Sequence, residues 1–169
     1  MIRPLRAADA ARAARIAAAS MPQPWSEAAF LQETANPSAY LLGAFEDIDG
    51  AGASAGAAAG DCGRSAGRML GYLSLALTPD DAELTGIAVD PAFPRRGIAG
   101  DLLCAAREAL RGRRIDTIVL EVRASNAAAI VFYEKYGFTC IGRRRDFYTS
   151  PREDALVMTD GKDEKDEER

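Results

Sequence analysis

Apolar positions along the chain recur with two periods. The points where the period changes, or where a breaker falls, divide the chain into elements. Residues 2–5 form a short strand candidate, and the alanine-rich run 9–20, with Arg12 and Arg15, reads as a helix. Two prolines in Met21-Pro-Gln-Pro cannot continue that helix. Ser26 is positioned as N-cap for a second helix over 27–34, with Trp25 and Phe30 at the two positions of a hydrophobic staple. Asn36-Pro37 ends it, and 39–45, 69–77 and 83–89 read as strands. Leu102, Leu103, Ala106 and Leu110 fall on one side of a helix over 98–110. Residues 117–122 are a β-branched strand, flanked by Arg113-Arg114 and Arg123. A helix over 126–136 is stopped by Gly137. Closing strands at 138–141 and 155–158 are joined through a connection rich in arginine and aromatic residues.

The predicted order is strand, two helices, three strands, helix, strand, helix, two strands. That is an α/β (α+β) chain with one mixed sheet of six to seven strands and about four helices on its two faces. A length of 169 residues suits one domain, taken here as 1–159. Residues 47–67 are almost entirely Ala, Gly, Ser and Asp, too poor in apolar side chains to offset ordering entropy. They read as a flexible loop inserted in a hairpin, with a regulatory or partner-binding loop as the alternative. Residues 160–169 carry six acids and three bases and read as a disordered, solvated tail. Most of the net charge of −4 lies in that tail, so the domain is near neutral and composition makes no case for nucleic acid.

Histidine is absent from the whole sequence, which excludes Ser-His and Cys-His nucleophile pairs and histidine-ligated metals. Cys62, Cys104 and Cys140 are widely spaced and odd in number; Cys104 and Cys140 read as buried fillers, and a reducing compartment is expected. No signal-peptide core and no membrane-spanning apolar run is present, so the expectation is a cytoplasmic protein. The turn Arg95-Arg96-Gly97-Ile98-Ala99-Gly100 lies between a strand and a helix start, where free N–H groups and the helix dipole favour an anion. It is neither a Walker sequence nor a GxGxxG fingerprint, and a plain glycine turn remains open beside a phosphate site. Glu121 stands in an otherwise apolar strand, sharing a face with Val119 and Arg123 opposite Leu120 and Val122. Such a carboxylate is either ion-paired to an arginine or serves as a general base. Tyr133, on the helix that follows, is either a core aromatic or an acid flanking the same small site as Glu121.

Taken together, several strings resemble the GNAT superfamily of acetyltransferases, and within it the bacterial RimI group of ribosomal-protein-alanine N-acetyltransferases. They are Gly86-Ile-Ala-Val-Asp-Pro, the Arg-Arg-Gly-Ile-Ala turn, Leu120-Glu-Val-Arg-Ala-Ser-Asn-Ala-Ala-Ala-Ile and Phe132-Tyr-Glu-Lys-Tyr-Gly-Phe. Pro24-Trp-Ser-Glu and Arg152-Glu-Asp-Ala-Leu-Val-Met match the same group. The resemblance implies a mostly antiparallel sheet and acetyl-CoA as co-substrate, with no metal and no membrane. It implies that the backbone of Ile87, Ala88 and Val89 holds the acetyl and pantetheine end. Arg95, Arg96, Gly97, Ile98, Ala99 and Gly100 would cradle the pyrophosphate, and Asn126 would bond the pantetheine arm. Glu121 matches the family's proton acceptor and Tyr133 its proton donor. Pro94 departs from the pattern, which often has Gln or Arg there. The implied acceptor is the N-terminal alanine of a ribosomal small-subunit protein, in a groove flanked by the 21–25 turn and the 146–152 connection; the alternatives are another acceptor (other protein N-termini, lysine or a small amine) or a non-catalytic acyl-CoA-binding module. Trp25 and Tyr148 are the candidate peptide contacts, with a solvent-facing aromatic as the alternative for Tyr148.

Overall fold

A computed structural model describes residues 1–46 and 67–161. Among these residues seven strands form one sheet: β1 (Ile2–Pro4), β2 (Ala39–Phe45), β3 (Met69–Leu77), β4 (Asp81–Val89), β5 (Thr117–Arg123), β6 (Thr139–Thr149) and β7 (Arg152–Thr159). Their order across the sheet is β1-β2-β3-β4-β5-β7-β6, and every neighbouring pair is antiparallel except β4 with β5. Four α-helices accompany it among the described residues: α1 (Ala10–Ser20), α2 (Glu27–Thr34), α3 (Ile98–Arg111) and α4 (Ala127–Lys135). The mixed, mostly antiparallel sheet with helices on both faces is the expected one.

Strand alternation sends successive side chains to opposite faces and so builds two cores. Leu41, Phe45 and Tyr72 meet Ala13, Ile16 and Ala17 of α1 and Phe30 of α2. Leu42, Leu73, Leu75, Leu84, Ile118, Leu120 and Val122 meet Leu102, Leu103, Ala106 and Leu110 of α3 and Tyr133 of α4. The helix ends follow the sequence signals. The Ser26 hydroxyl accepts from Ala29 N–H at 3.2 Å, Trp25 and Phe30 stack edge-on at 5.5 Å, and Gly137 takes the left-handed conformation (φ 83°) that closes α4. Before α1, a single 3-10 turn at Ala7–Asp9 replaces the start of the predicted helix.

Several expectations are corrected. The closing strands are much longer than 138–141 and 155–158, and the arginine-rich connection is itself paired strand, with irregular register between Arg144 and Tyr148. Cys104 and Cys140 are exposed, not buried, because each stands on a solvent-facing side of its element. The predicted acidic tail begins too early. The Asp160 carboxylate accepts from Ile118 N–H and Arg107 Nε, both at 2.7 Å, extending the order of β7 past its last residue. Residues 162–169, and the predicted loop apart from Gly67, lie outside the described residues. Among the described residues no helix is long and apolar enough to cross a membrane.

Candidate active site

β4 and β5 run parallel and pair only from Asp81↔Thr117 to Leu84↔Leu120. Beyond that point β4 stays with β3, from Gly86↔Ser74 to Val89↔Gly71, while β5 stays with β7, through Glu121↔Val157 to Arg123↔Ala155. The two strands therefore part in the middle of the sheet. The register shift between Ser74 and Leu75 falls where the parting begins, and a bulge at such a place bends a strand away from its neighbour. The gap is a groove of about 400 Å³, lined among others by Thr85 to Val89, Ala99, Glu121, Arg123, Asn126, Tyr133 and Tyr148.

On β4, the Asp90 N–H bonds back to the Leu70 carbonyl. By strand alternation the N–H groups of Val89 and Ile87 then point away from β3, toward the gap. The groove passes into a second hollow of about 620 Å³ around the turn, lined by Pro94, Arg95, Arg96, Gly97, Ile98, Ala99 and Gly100, with Phe132, Lys135 and Tyr136 opposite. Arg95 (φ 57°) and Gly97 (φ 76°) both take left-handed backbone, which turns the chain sharply into α3. No side chain caps α3, whereas Ser26 caps α2 and Asn126 caps α4. Its first N–H groups are thus left for an anion. The Arg96 guanidinium rests 5.1 Å from the Phe93 ring centre, and Arg68 rests 4.4 Å from it.

Glu121 reaches the gap from one face of the sheet and Tyr133 from the other, because the parting of β4 and β5 opens a passage between the faces. Glu121 forms an ion pair with Arg144 through Oε1, one of the two alternatives its sequence position offers, and the residue also lines the groove. Tyr133 is 8% exposed and stacks on Phe138 at 5.5 Å. Burial, with the Tyr148 phenol nearby adding to it, pushes its pKa up to about 12, so its proton is retained throughout the neutral range. Asn126 uses Oδ1 to cap α4 through Ala129 N–H at 3.2 Å, and its Nδ2 makes no hydrogen bond among the described residues.

Tyr148 lines the groove, and its hydroxyl donates to the Glu121 carbonyl oxygen at 3.4 Å. Met21, Pro22 and Gln23 of the α1–α2 turn line it too. Trp25 is not brought there; it packs on Phe30 within the core that α1 and α2 cover. Sequence reasoning gave no role to Arg123, although it had placed this residue on the Glu121 face. That shared face, two residues from Glu121, was the signal available. Among the described residues no group of three or more acidic or cysteine side chains is arranged to hold a metal.

The sheet is thus parted between its two parallel strands, and a glycine turn opens the helix that follows β4. The chain belongs to the acetyltransferase (GNAT) family, whose pattern it matches over residues 11–138. Among its relatives is the N-alpha-acetyltransferase RimI of Mycobacterium tuberculosis, 34% identical over 160 residues, covering 91% of this chain and 87% of that protein. The ribosomal protein bS18-alanine N-acetyltransferase of Escherichia coli K12 is 44% identical over 94 residues, covering 54% of this chain and 64% of that protein's length. A crystal structure of the ribosomal-protein-S18-alanine N-acetyltransferase from Escherichia coli superposes with a TM-score of 0.76 at 32% identity, covering 94% of this chain and 91% of that one.

Proposed function

We propose that the protein transfers the acetyl group of acetyl-CoA to the α-amino group at a protein N-terminus, and that its acceptor is the N-terminal alanine of a ribosomal small-subunit protein. The observation that carries this reading is the meeting of Glu121 and Tyr133 in the gap between β4 and β5, at one end of a groove that runs to the uncapped start of α3. The names of the relatives support the choice of acceptor.

The residues present fit the coenzyme. The free N–H groups of α3, with Arg95 and Arg96, suit a pyrophosphate. The N–H groups of Ile87 and Val89 suit the amide-bearing pantetheine arm, as does the unused Nδ2 of Asn126. Acetyl-CoA supplies the activated thioester; everything else is done by the chain. An α-amine has a pKa of about 7.7–8.0, so near neutrality it arrives largely protonated and needs only a modest base. Glu121 takes that proton through Oε2, which makes no hydrogen bond among the described residues. Tyr133, kept protonated by its burial, gives a proton to the departing thiolate. Donors on β4 oriented toward the gap polarise the carbonyl under attack.

The test is thiol release with a panel of peptides beginning with Ala, Ser or Met, an N-blocked lysine peptide and a small amine. Release is expected with the Ala-initiated peptide foremost. Glu121→Gln is expected to lower turnover by about 10²-fold or more while leaving acetyl-CoA affinity within about two-fold. Preference for lysine or the small amine would overturn the acceptor, and full turnover by Glu121→Gln would overturn the base.

A further inference from the structure

Across the acceptor end of the groove, two segments distant in sequence meet on one carbonyl oxygen. Ser150, in the turn between β6 and β7, accepts from Arg123 Nη2 at 3.1 Å and from Gln23 Nε2 at 3.4 Å. Arg123 also donates from Nη1 to the Pro151 carbonyl at 3.1 Å and to Glu153 Oε2 at 3.1 Å. Its guanidinium carbon sits over the Tyr148 ring, 4.0 Å from the ring centre. Glu153 is fixed in turn, accepting from Ser125 N–H through Oε1 at 2.6 Å. The Arg123 and Glu153 side chains are only 17% and 19% exposed, and the bond between them is partly buried.

We propose that Arg123 is a positioning residue for the acceptor. It ties the β6–β7 turn to β5, holds the Tyr148 ring against the mouth of the gap and, with Gln23, closes a strap over the groove that limits the size of the acceptor's first residue. The proposal rests on the reading of the groove as an acceptor site and deepens it. A planar fork is needed to reach Ser150, Pro151 and Glu153 while stacking on a ring, and lysine cannot reproduce it. The ring is the wall that a first side chain meets, since Tyr148 lines the groove beside Glu121 and Tyr133. A loosened wall should weaken peptide binding and admit larger first residues, while the coenzyme's end of the groove stays as it was.

The experiment compares wild type, Arg123→Lys and Gln23→Ala by steady-state kinetics and by hydrogen–deuterium exchange. Arg123→Lys is expected to raise the KM for an Ala-initiated peptide about ten-fold, matching the loss of a charge-assisted fork. The KM for acetyl-CoA and the turnover at saturating peptide should stay within about two-fold. The preference for Ala-initiated over Phe-initiated peptides should narrow, and exchange in residues 147–152 should quicken with the rest unchanged. Gln23→Ala, altering an exposed side chain that leaves the fold intact, should move the peptide KM in the same direction by about two- to three-fold. Unchanged exchange at 147–152 in Arg123→Lys, or a KM for acetyl-CoA rising in step with that for peptide, would overturn the proposal. Should the wild type acetylate no peptide, the proposed function and the acceptor role fail together, and the exchange result still decides whether Arg123 holds the turn.

Discussion

Replacing Tyr133 with Phe removes one oxygen atom and leaves the ring. The ring sits 5.3 Å from Phe132 and 5.5 Å from Phe138, in a core shared with α3 and the sheet. Those contacts survive the substitution, so stability at pH 8 should change by no more than about 1 kcal/mol. The hydroxyl nevertheless carries a measurable linkage. Burial raises its pKa from 10.0 to about 12 in the folded chain, and two units correspond to about 3 kcal/mol. A group whose folded value is raised stabilises the native state fully below the unfolded value. It loses that contribution as pH rises through the folded one. The wild type should therefore lose about 2 kcal/mol of this relative to Tyr133→Phe between pH 9 and 12, at whose upper end the folded phenol is only half ionised. Urea denaturation of both proteins across that range isolates the difference, because every other titrating group is common to them. In catalysis the variant should turn over about 10²-fold more slowly and bind acetyl-CoA as before. Parallel stability curves at high pH would refute the buried-phenol argument, and turnover within a few-fold of wild type would refute its use as the acid.

Two further outcomes follow from the packing. A methyl group at Gly100 would stand 1.8 Å from the Tyr136 hydroxyl oxygen and 2.5 Å from its ring. Gly100→Ala should therefore cost about 1–3 kcal/mol in thermal or urea unfolding, and it should weaken acetyl-CoA binding in calorimetry, because Tyr136 lines the hollow around the turn. Asp9 is 3% exposed and holds Arg3 at 2.8 Å and the Arg6 N–H at 2.9 Å. Its own burial works to raise its pKa, but the bonds to Arg3 and Arg6 outweigh this and hold it below the usual carboxylate value. Asp9→Asn should cost about 3 kcal/mol near neutrality. The wild type's advantage over it should shrink as pH falls below 3.8, as circular dichroism melts across acid pH would show.

Much of this was legible in sequence because it is local. Ser26 and the Trp25–Phe30 pair announce α2, Gly137 ends α4, and the two-residue period places Glu121 and Arg123 together on one face of β5. What escaped is non-local. β6 is exposed along nearly its whole length, so no apolar alternation marks Arg143-Arg144-Arg145 as strand. Its pairing with β7 and the bridges Arg143–Asp154 and Arg152–Asp146 hold it instead. The exposure of Cys104 and Cys140 depends on which flank of α3 and β6 stays uncovered, and residue type says nothing of that. Neither can a single strand reveal that it will leave its neighbour. The parting of β4 and β5 emerges only when β3 and β7 compete for them. The grip of Arg123 on Ser150 joins positions 27 apart and is likewise a property of the assembled sheet.

The central claim is that the gap between β4 and β5 delivers an acetyl group to an α-amine. The most direct measurement uses one Ala-initiated peptide that also carries an internal lysine, incubated with acetyl-CoA and the wild-type protein and sequenced by tandem mass spectrometry. Acetylation at the N-terminal nitrogen alone, formed about 10²-fold or more slowly by Glu121→Gln, is the predicted result. Acetyl groups on the lysine, or a product that forms equally well with Glu121→Gln, would contradict it.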